Sequence, residues 1–128
     1  VSNDVRAKPC LACPYRIDVP SGVWSWSEYE KLRPYDNPTG EQPFEPFACH
    51  AGSDQLCNGW AVCHTTRGNE HDLLSLRLIG YPDIPVSKIP LHPSGNDAAD
   101  FGQQDIEEPT DEAKAVVDKL MQRHERLR

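Results

Sequence analysis

A small, mostly helical single domain, with an irregular, proline-rich N-terminal third organised by a four-cysteine metal site, is the fold class this sequence predicts. Three observations carry that expectation. Cys10 and Cys13 stand on a two-residue spacer and are answered by Cys49 and Cys57. Of the twelve prolines, many fall between Pro9 and Pro46, which argues for turns rather than long helices or sheets there. Two later stretches repeat apolar residues at helical spacing. With 128 residues and 38% hydrophobic content the chain supports one packed domain over 1–128. A turn-rich segment lacks a hydrogen-bonded ladder, and a metal cross-link would supply the missing restraint.

Taken in order, residues 1–8 are polar, carry no pattern and are expected to fray or drape. The metal-binding part is expected over about 8–66. Within it Ser25 and Glu28 have capping-box spacing, so a short helix is predicted from Trp26 to Leu32, stopped by Pro34. Pro34 to Phe47 reads as a loop delivering Cys49 to the first cysteine pair. Ser53 or Asp54 could cap a helix through Cys57, Trp60, Ala61 and His64, with Gly68 placed to end it. A central helix is predicted over about 69–80, capped by Asn69 with Asp72 at the reciprocal position and ended by Gly80. Its leucines at 73, 74, 76 and 78, with Ile79, make it apolar nearly all round, the pattern of a core element. Pro82, Pro85, Pro90 and Pro93 turn 81–94 into an extended crossing segment. One turn is expected from Asn96 to Phe101 before Gly102. Thr110 caps a C-terminal helix over about 110–127, where Ala113, Val116, Val117, Leu120, Met121 and Leu127 recur at helical spacing. Asp111 and Glu112 at its start and Arg123, Arg126 and Arg128 at its end suit the helix dipole.

Cys10, Cys13, Cys49 and Cys57 are the candidate metal ligands. Two thiolates on one tight turn can bind a single ion without straining the backbone, and the later pair can close the tetrahedron. If Cys57 lies in the first turn of its helix, the partial positive charge there favours its thiolate. Cys63 is expected to be a buried core thiol, since six helical residues turn it away from Cys57. His50 adjoins Cys49 and could donate a hydrogen bond to a sulfur. For His64, His71, His92 and His124 a surface or hydrogen-bonded side chain is expected. Zinc suits a closed four-thiolate site, and a [4Fe–4S] cluster is the alternative occupant of the same four cysteines. Trp24, Trp26 and Trp60, with Tyr15 and Phe47, are read as an aromatic core shielding the sulfurs. Asp18, Glu28, Asp36 and Glu45 have no evident partners in the sequence and are read as solvated surface.

Several of these residues also carry a resemblance. Cys10-x-x-Cys13-Pro14-Tyr15-Arg16, Val19-Pro20-Ser21-Gly22-Val23-Trp24, Glu28-Tyr29 with Leu32, Phe47-x-Cys49-His50, Cys57-x-Gly59-Trp60 and the 73–78 leucine run resemble an uncharacterised family of small cysteine-containing proteins of actinobacteria and their phages. The resemblance covers about residues 8–120 and implies that the four cysteines belong together as a set. A fainter similarity, to WhiB-like iron-sulfur regulators, rests on the Gly22-Val23-Trp24 turn and the four cysteines. Their spacing departs from that pattern, and the basic tail expected after the turn is absent.

The formal charge of −7 disfavours non-specific binding to nucleic acid or anionic membrane. The lack of a long apolar run and of a basic-then-apolar N-terminal segment points to the cytoplasm. Reduced thiols are then expected, and an odd count of five cysteines suits metal binding better than a disulfide scaffold. No nucleophile triad, P-loop or dinucleotide motif is present, and four thiolates around an ion leave no open position for substrate. The expected function is therefore a non-enzymatic module that binds a protein partner, with an iron-sulfur redox or iron sensor as the alternative.

Overall fold

The computed structural model describes residues 4–48, 55–65 and 71–126. Among these the chain is a small, mostly helical single domain: five α-helices and three isolated backbone bridges, with no strand. The helices are α1 (Trp26–Glu30), α2 (Asn58–Thr65), α3 (Leu74–Leu78), α4 (Gly95–Gln103) and α5 (Asp111–Arg126).

Residues 4–6 drape along Leu56. Leu56 accepts the Arg6 N–H at 3.1 Å and donates to the Asp4 carbonyl at 2.8 Å, and Val5 is buried beside it. Ala48 bridges the same Leu56 in antiparallel sense. One apolar residue thus gathers the start of the chain and the end of the proline-rich loop.

α1 starts where expected, but its cap differs. Ser25 has extended backbone and makes no capping bond; its hydroxyl meets that of Ser27 at 3.2 Å. A 3₁₀ turn over Arg33–Asp36 follows directly, and Asp36 turns back onto α4. Its two carboxylate oxygens accept the N–H groups of Gly95 at 2.9 Å and Asn96 at 2.7 Å. Together with the Ser94 hydroxyl, which accepts the Asp97 N–H at 3.0 Å, these bonds satisfy the orphan donors of the first turn of α4. With three donors occupied, α4 grows to nine residues where the sequence suggested one turn. Gly102 lies inside it because the ring of Tyr29 occupies the space a Cβ would fill.

The central helix is α2, not the leucine-rich stretch. From Asn58 to His64 every residue of α2 is buried. The Asn58 amide nitrogen is held by tertiary partners, donating to the carbonyls of Arg6 at 2.8 Å and Pro85 at 2.7 Å. The helix predicted over 69–80 shrinks to the five residues of α3. Leu73 and Leu76 are buried, but Leu78 is 61% exposed, so α3 covers the core with one face only. The pairing of Asp72 with Asn69 falls outside the described residues; the Asp72 carboxylate accepts from Arg77 at 2.9 Å. Gln42 reaches across to the start of α3, donating to the Asp72 carbonyl and accepting the Leu74 N–H, both at 2.9 Å. Gly80, at φ +89°, ends the segment in the left-handed region, which glycine adopts without a Cβ penalty.

Residues 81–94 cross the molecule without regular structure and dock on the first cysteine turn, where His92 donates to the Tyr15 carbonyl at 2.8 Å. Thr110 caps α5, its hydroxyl accepting the Ala113 N–H at 3.2 Å. Ala113, Val116, Val117 and Leu120 then pack on Ala12, Val19 and Val23. The Ser53, Asp54, Gly68 and Asn69 signals, like Leu127 and Arg128, fall outside the described residues.

Candidate metal centre

The first two cysteines sit on a single turn, as two-residue spacing requires. Cys13 donates its N–H to the Cys10 carbonyl at 3.2 Å, and Arg16 donates to the Cys13 carbonyl at 3.0 Å. Both thiols are buried, Cys13 completely. The Trp24 indole pins the turn from outside by donating to the Ala12 carbonyl at 2.8 Å.

Cys57 approaches from the opposite side. It immediately precedes α2, and its sulfur accepts the Trp60 N–H at 3.4 Å, the bond that a serine or aspartate makes as an N-cap. α2 therefore begins after Cys57 rather than running through it. The sulfur stands at the positive end of the helix dipole. Its backbone N–H is held by the Phe47 carbonyl at 2.8 Å.

The two halves meet. Cys13 Sγ and Cys57 Sγ lie 3.7 Å apart, and Cys10 hydrogen-bonds to the same Cys13 sulfur. The approach depends on Gly59, where a Cβ would stand 2.5 Å from Cys13 Sγ and 3.0 Å from the Tyr15 Cβ. The Cys10 bond pulls the Cys13 thiol down, while Cys57 and burial push it up, and the upward effects win. An ion bound here would have to displace that proton. Arg16 adds a fixed cation. Its guanidinium donates to the Cys10 carbonyl at 3.2 Å and is clamped by Asp18 through bonds of 2.8 and 2.7 Å. Asp18 and then the two thiols raise the Arg16 pKa, and Arg16 in turn lowers that of Asp18.

Cys10, Cys13 and Cys57 are thus brought together. Cys49 and His50 lie outside the described residues, although Ala48, just before Cys49, bridges Leu56, just before Cys57. Among the described residues no group of three or more histidine, cysteine or acidic side chains is placed to hold a metal ion. In chemical type the donors suit a soft cation: buried thiols, an N–H aimed at one sulfur, and a nearby guanidinium to offset the charge of several thiolates. Cys63 stands apart; fully buried, it donates to the His92 carbonyl at 3.3 Å.

The profile of a family of unknown function, DUF6283, matches residues 5–123. The chain belongs to that family. Among curated proteins and among solved structures nothing matches it. In this DUF6283 chain no described helix is long and apolar enough to cross a membrane.

Around the sulfurs the aromatic shield is real but differently composed. Trp60 stacks on Phe47 with ring centroids 6.4 Å apart and meets Tyr35 edge-on at 5.4 Å, while Tyr15 meets Phe47 edge-on at 6.3 Å. Trp26 is 53% exposed and takes no part in it, and Tyr35 fills a place that the sequence did not suggest. Burial, then Glu45, pushes the Tyr35 phenol up to about 12.

The acidic residues are not all solvated surface. Asp36 lies 3.7 Å from His64 Nε2, which shares a 3.3 Å hydrogen bond with the Tyr15 hydroxyl. Asp18 pairs with Arg16, and Glu28 with Lys31 at 2.9 Å. Three site residues therefore escaped sequence reasoning: Gly59, Arg16 and Asp36. The first two were within reach, as a glycine two residues after a candidate ligand and an arginine three after another. Asp36 had no local signal, because its partners lie 28 and 59 residues further on.

Proposed function

We propose that this chain is a non-enzymatic protein-interaction module whose N-terminal third is folded by one zinc ion held by Cys10, Cys13, Cys49 and Cys57. The observation that carries the reading is the 3.7 Å between Cys13 Sγ and Cys57 Sγ. In a tetrahedron with zinc–sulfur bonds of about 2.3 Å the sulfurs stand about 3.8 Å apart. A cubane cluster holds each thiolate on a different iron and so spreads them much further. That spacing favours zinc over the iron-sulfur sensor, the alternative in line with the WhiB-like similarity. Four thiolate ligands fill the coordination shell and leave no position for substrate, which supports a structural rather than catalytic role.

Elemental analysis of protein prepared with and without oxygen, across the five single cysteine-to-serine variants, tests the reading. One zinc per chain is expected, lost in the variants of Cys10, Cys13, Cys49 and Cys57. Cys63→Ser should keep full stoichiometry while costing about 1–3 kcal/mol for a buried thiol replaced by a hydroxyl. A brown anaerobic preparation that bleaches in air would replace zinc with a cluster. Loss of metal from Cys63→Ser but not Cys57→Ser would overturn the ligand set.

A further inference from the structure

Beside α1 runs an open groove of about 880 Å³, at the upper end of the size range of ligand sites. Trp24, Tyr35 and Phe47 give it an aromatic floor, and the 43–48 segment forms one wall. On that wall Phe44 is 73% exposed, more than any other large apolar side chain among the described residues. Both sides are anchored to the candidate metal centre, Trp24 through the Ala12 carbonyl and Phe47 through the Cys57 N–H.

The hydrogen-bonding capacity of the groove selects its occupant. Pro34, Pro43 and Pro46 have no N–H. The Glu45 carbonyl already accepts the Tyr35 hydroxyl at 2.8 Å, and the Phe47 carbonyl accepts the Cys57 N–H at 2.8 Å. A strand added along this wall would find few backbone partners. A polyproline segment presents carbonyls that need side-chain donors, yet the Trp24 indole is spent on Ala12 and the Tyr35 hydroxyl on Glu45. An α-helix satisfies its own backbone and needs only an apolar surface. Charge narrows the choice further. Lys31 and Glu28 pair at 2.9 Å, which leaves the exposed carboxylate of Glu45 as the net charge of the described lining residues.

We propose that this groove docks an amphipathic helix of a partner protein, its apolar face seated on the partly buried Trp24 and the exposed Phe44, above the buried Phe47, and a lysine or arginine beside that face meeting Glu45. The inference rests on the reading of the chain as an interaction module and names the chemistry of its partner. The probe is a synthetic leucine–lysine amphipathic helical peptide, with a leucine–glutamate counterpart and a proline–arginine peptide as comparisons. Each is titrated into the full chain while the Trp24 indole and residues 43–48 are followed by NMR, and the metal content of the same samples is measured. The leucine–lysine peptide should shift those signals and saturate. Phe44→Asp, at an exposed position that folding does not need, should weaken it at least about tenfold. Glu45→Lys should reverse the preference between the two helical peptides. Equal binding of both helical peptides, tighter binding of the proline–arginine peptide, or indifference to both substitutions would overturn the proposal. Metal-loaded protein that binds none of them sinks the groove and leaves the zinc site standing; metal-free protein that binds in the expected pattern does the reverse.

Discussion

A methyl group on Gly59 would stand 2.5 Å from the Cys13 sulfur and 3.0 Å from the Tyr15 Cβ, both buried, which leaves it little room. Gly59→Ala sets two effects against each other. Alanine gains about 1 kcal/mol of helix propensity within α2. Overpacking at a closed contact costs about 1–3 kcal/mol, and here it falls on a candidate ligand. The second effect should win, and in a specific way. The variant should lose metal to a competing chelator at lower chelator concentration than the parent, and melt earlier. A variant that melts later and keeps its metal would show that Cys13 can retreat without loss. The same residue-scale logic explains Arg16. Its clamp by Asp18 holds a cation against the cysteine turn, a role that a Cys-Pro-Tyr-Arg string hints at only through charge.

At the scale of elements, Asp36 joins three of them: the 3₁₀ turn that carries it, the N-terminus of α4 and the C-terminal half of α2 through His64. Burial lowers the His64 pKa below its ordinary 6.5, and Asp36 opposes that only in part. Unfolded chain therefore takes up a proton near pH 6.5 that the folded chain resists. Between that pH and the lower folded value the unfolded state binds more protons, so stability falls as pH falls through this window and is unaffected above it. Among the described residues the groups facing His64 are Asp36, the Tyr15 hydroxyl and the Tyr35 ring, and Tyr15 stays neutral because burial raises its pKa. Denaturant midpoints measured from pH 7.5 to 5.5 should drop, and His64→Gln should flatten the drop relative to the parent. A parent whose midpoint is level across that range would refute the assignment. The helical class and single domain were legible because composition and spacing are local properties. α5 is the clearest case, where periodic apolar residues, the Thr110 cap and packing on Ala12, Val19 and Val23 all agree. The choice of core helix was not legible. The leucine run outweighs α2 in apolar content, but α2 is buried all round because Asn58 and His64 find distant partners, Arg6 and Pro85 for one, Tyr15 and Asp36 for the other. The length of α4 was hidden for the same reason, since Asp36 caps it from about sixty residues away.

Over the whole molecule the candidate metal centre is tied to α5, the proline-rich loop, the N-terminal segment and residues 81–94. Ala12, between Cys10 and Cys13, carries the packing of α5 and receives the Trp24 indole. Phe47 and Leu56 tie the proline-rich loop and the N-terminal segment to Cys57. Residues 81–94 hang on the same turn through Tyr15 and Ile17. Without a sheet among the described residues, these separate attachments have no shared ladder to hold them once the cysteine turn loosens. Metal binding free energy should therefore appear as folding free energy of the entire domain, not of its first third alone. Each tenfold rise in free zinc above the dissociation constant should add about 1.4 kcal/mol of stability, or roughly 4–6 °C in melting temperature for a chain of this size. Chelation under reducing conditions should abolish the near-ultraviolet dichroism of the aromatic core and the helical signal of α5 in one transition. The test follows both signals across a series of zinc activities. If α5 keeps its ellipticity after the core signal has gone, its contact with Ala12 contributes little. A melting temperature indifferent to zinc would remove the structural role altogether.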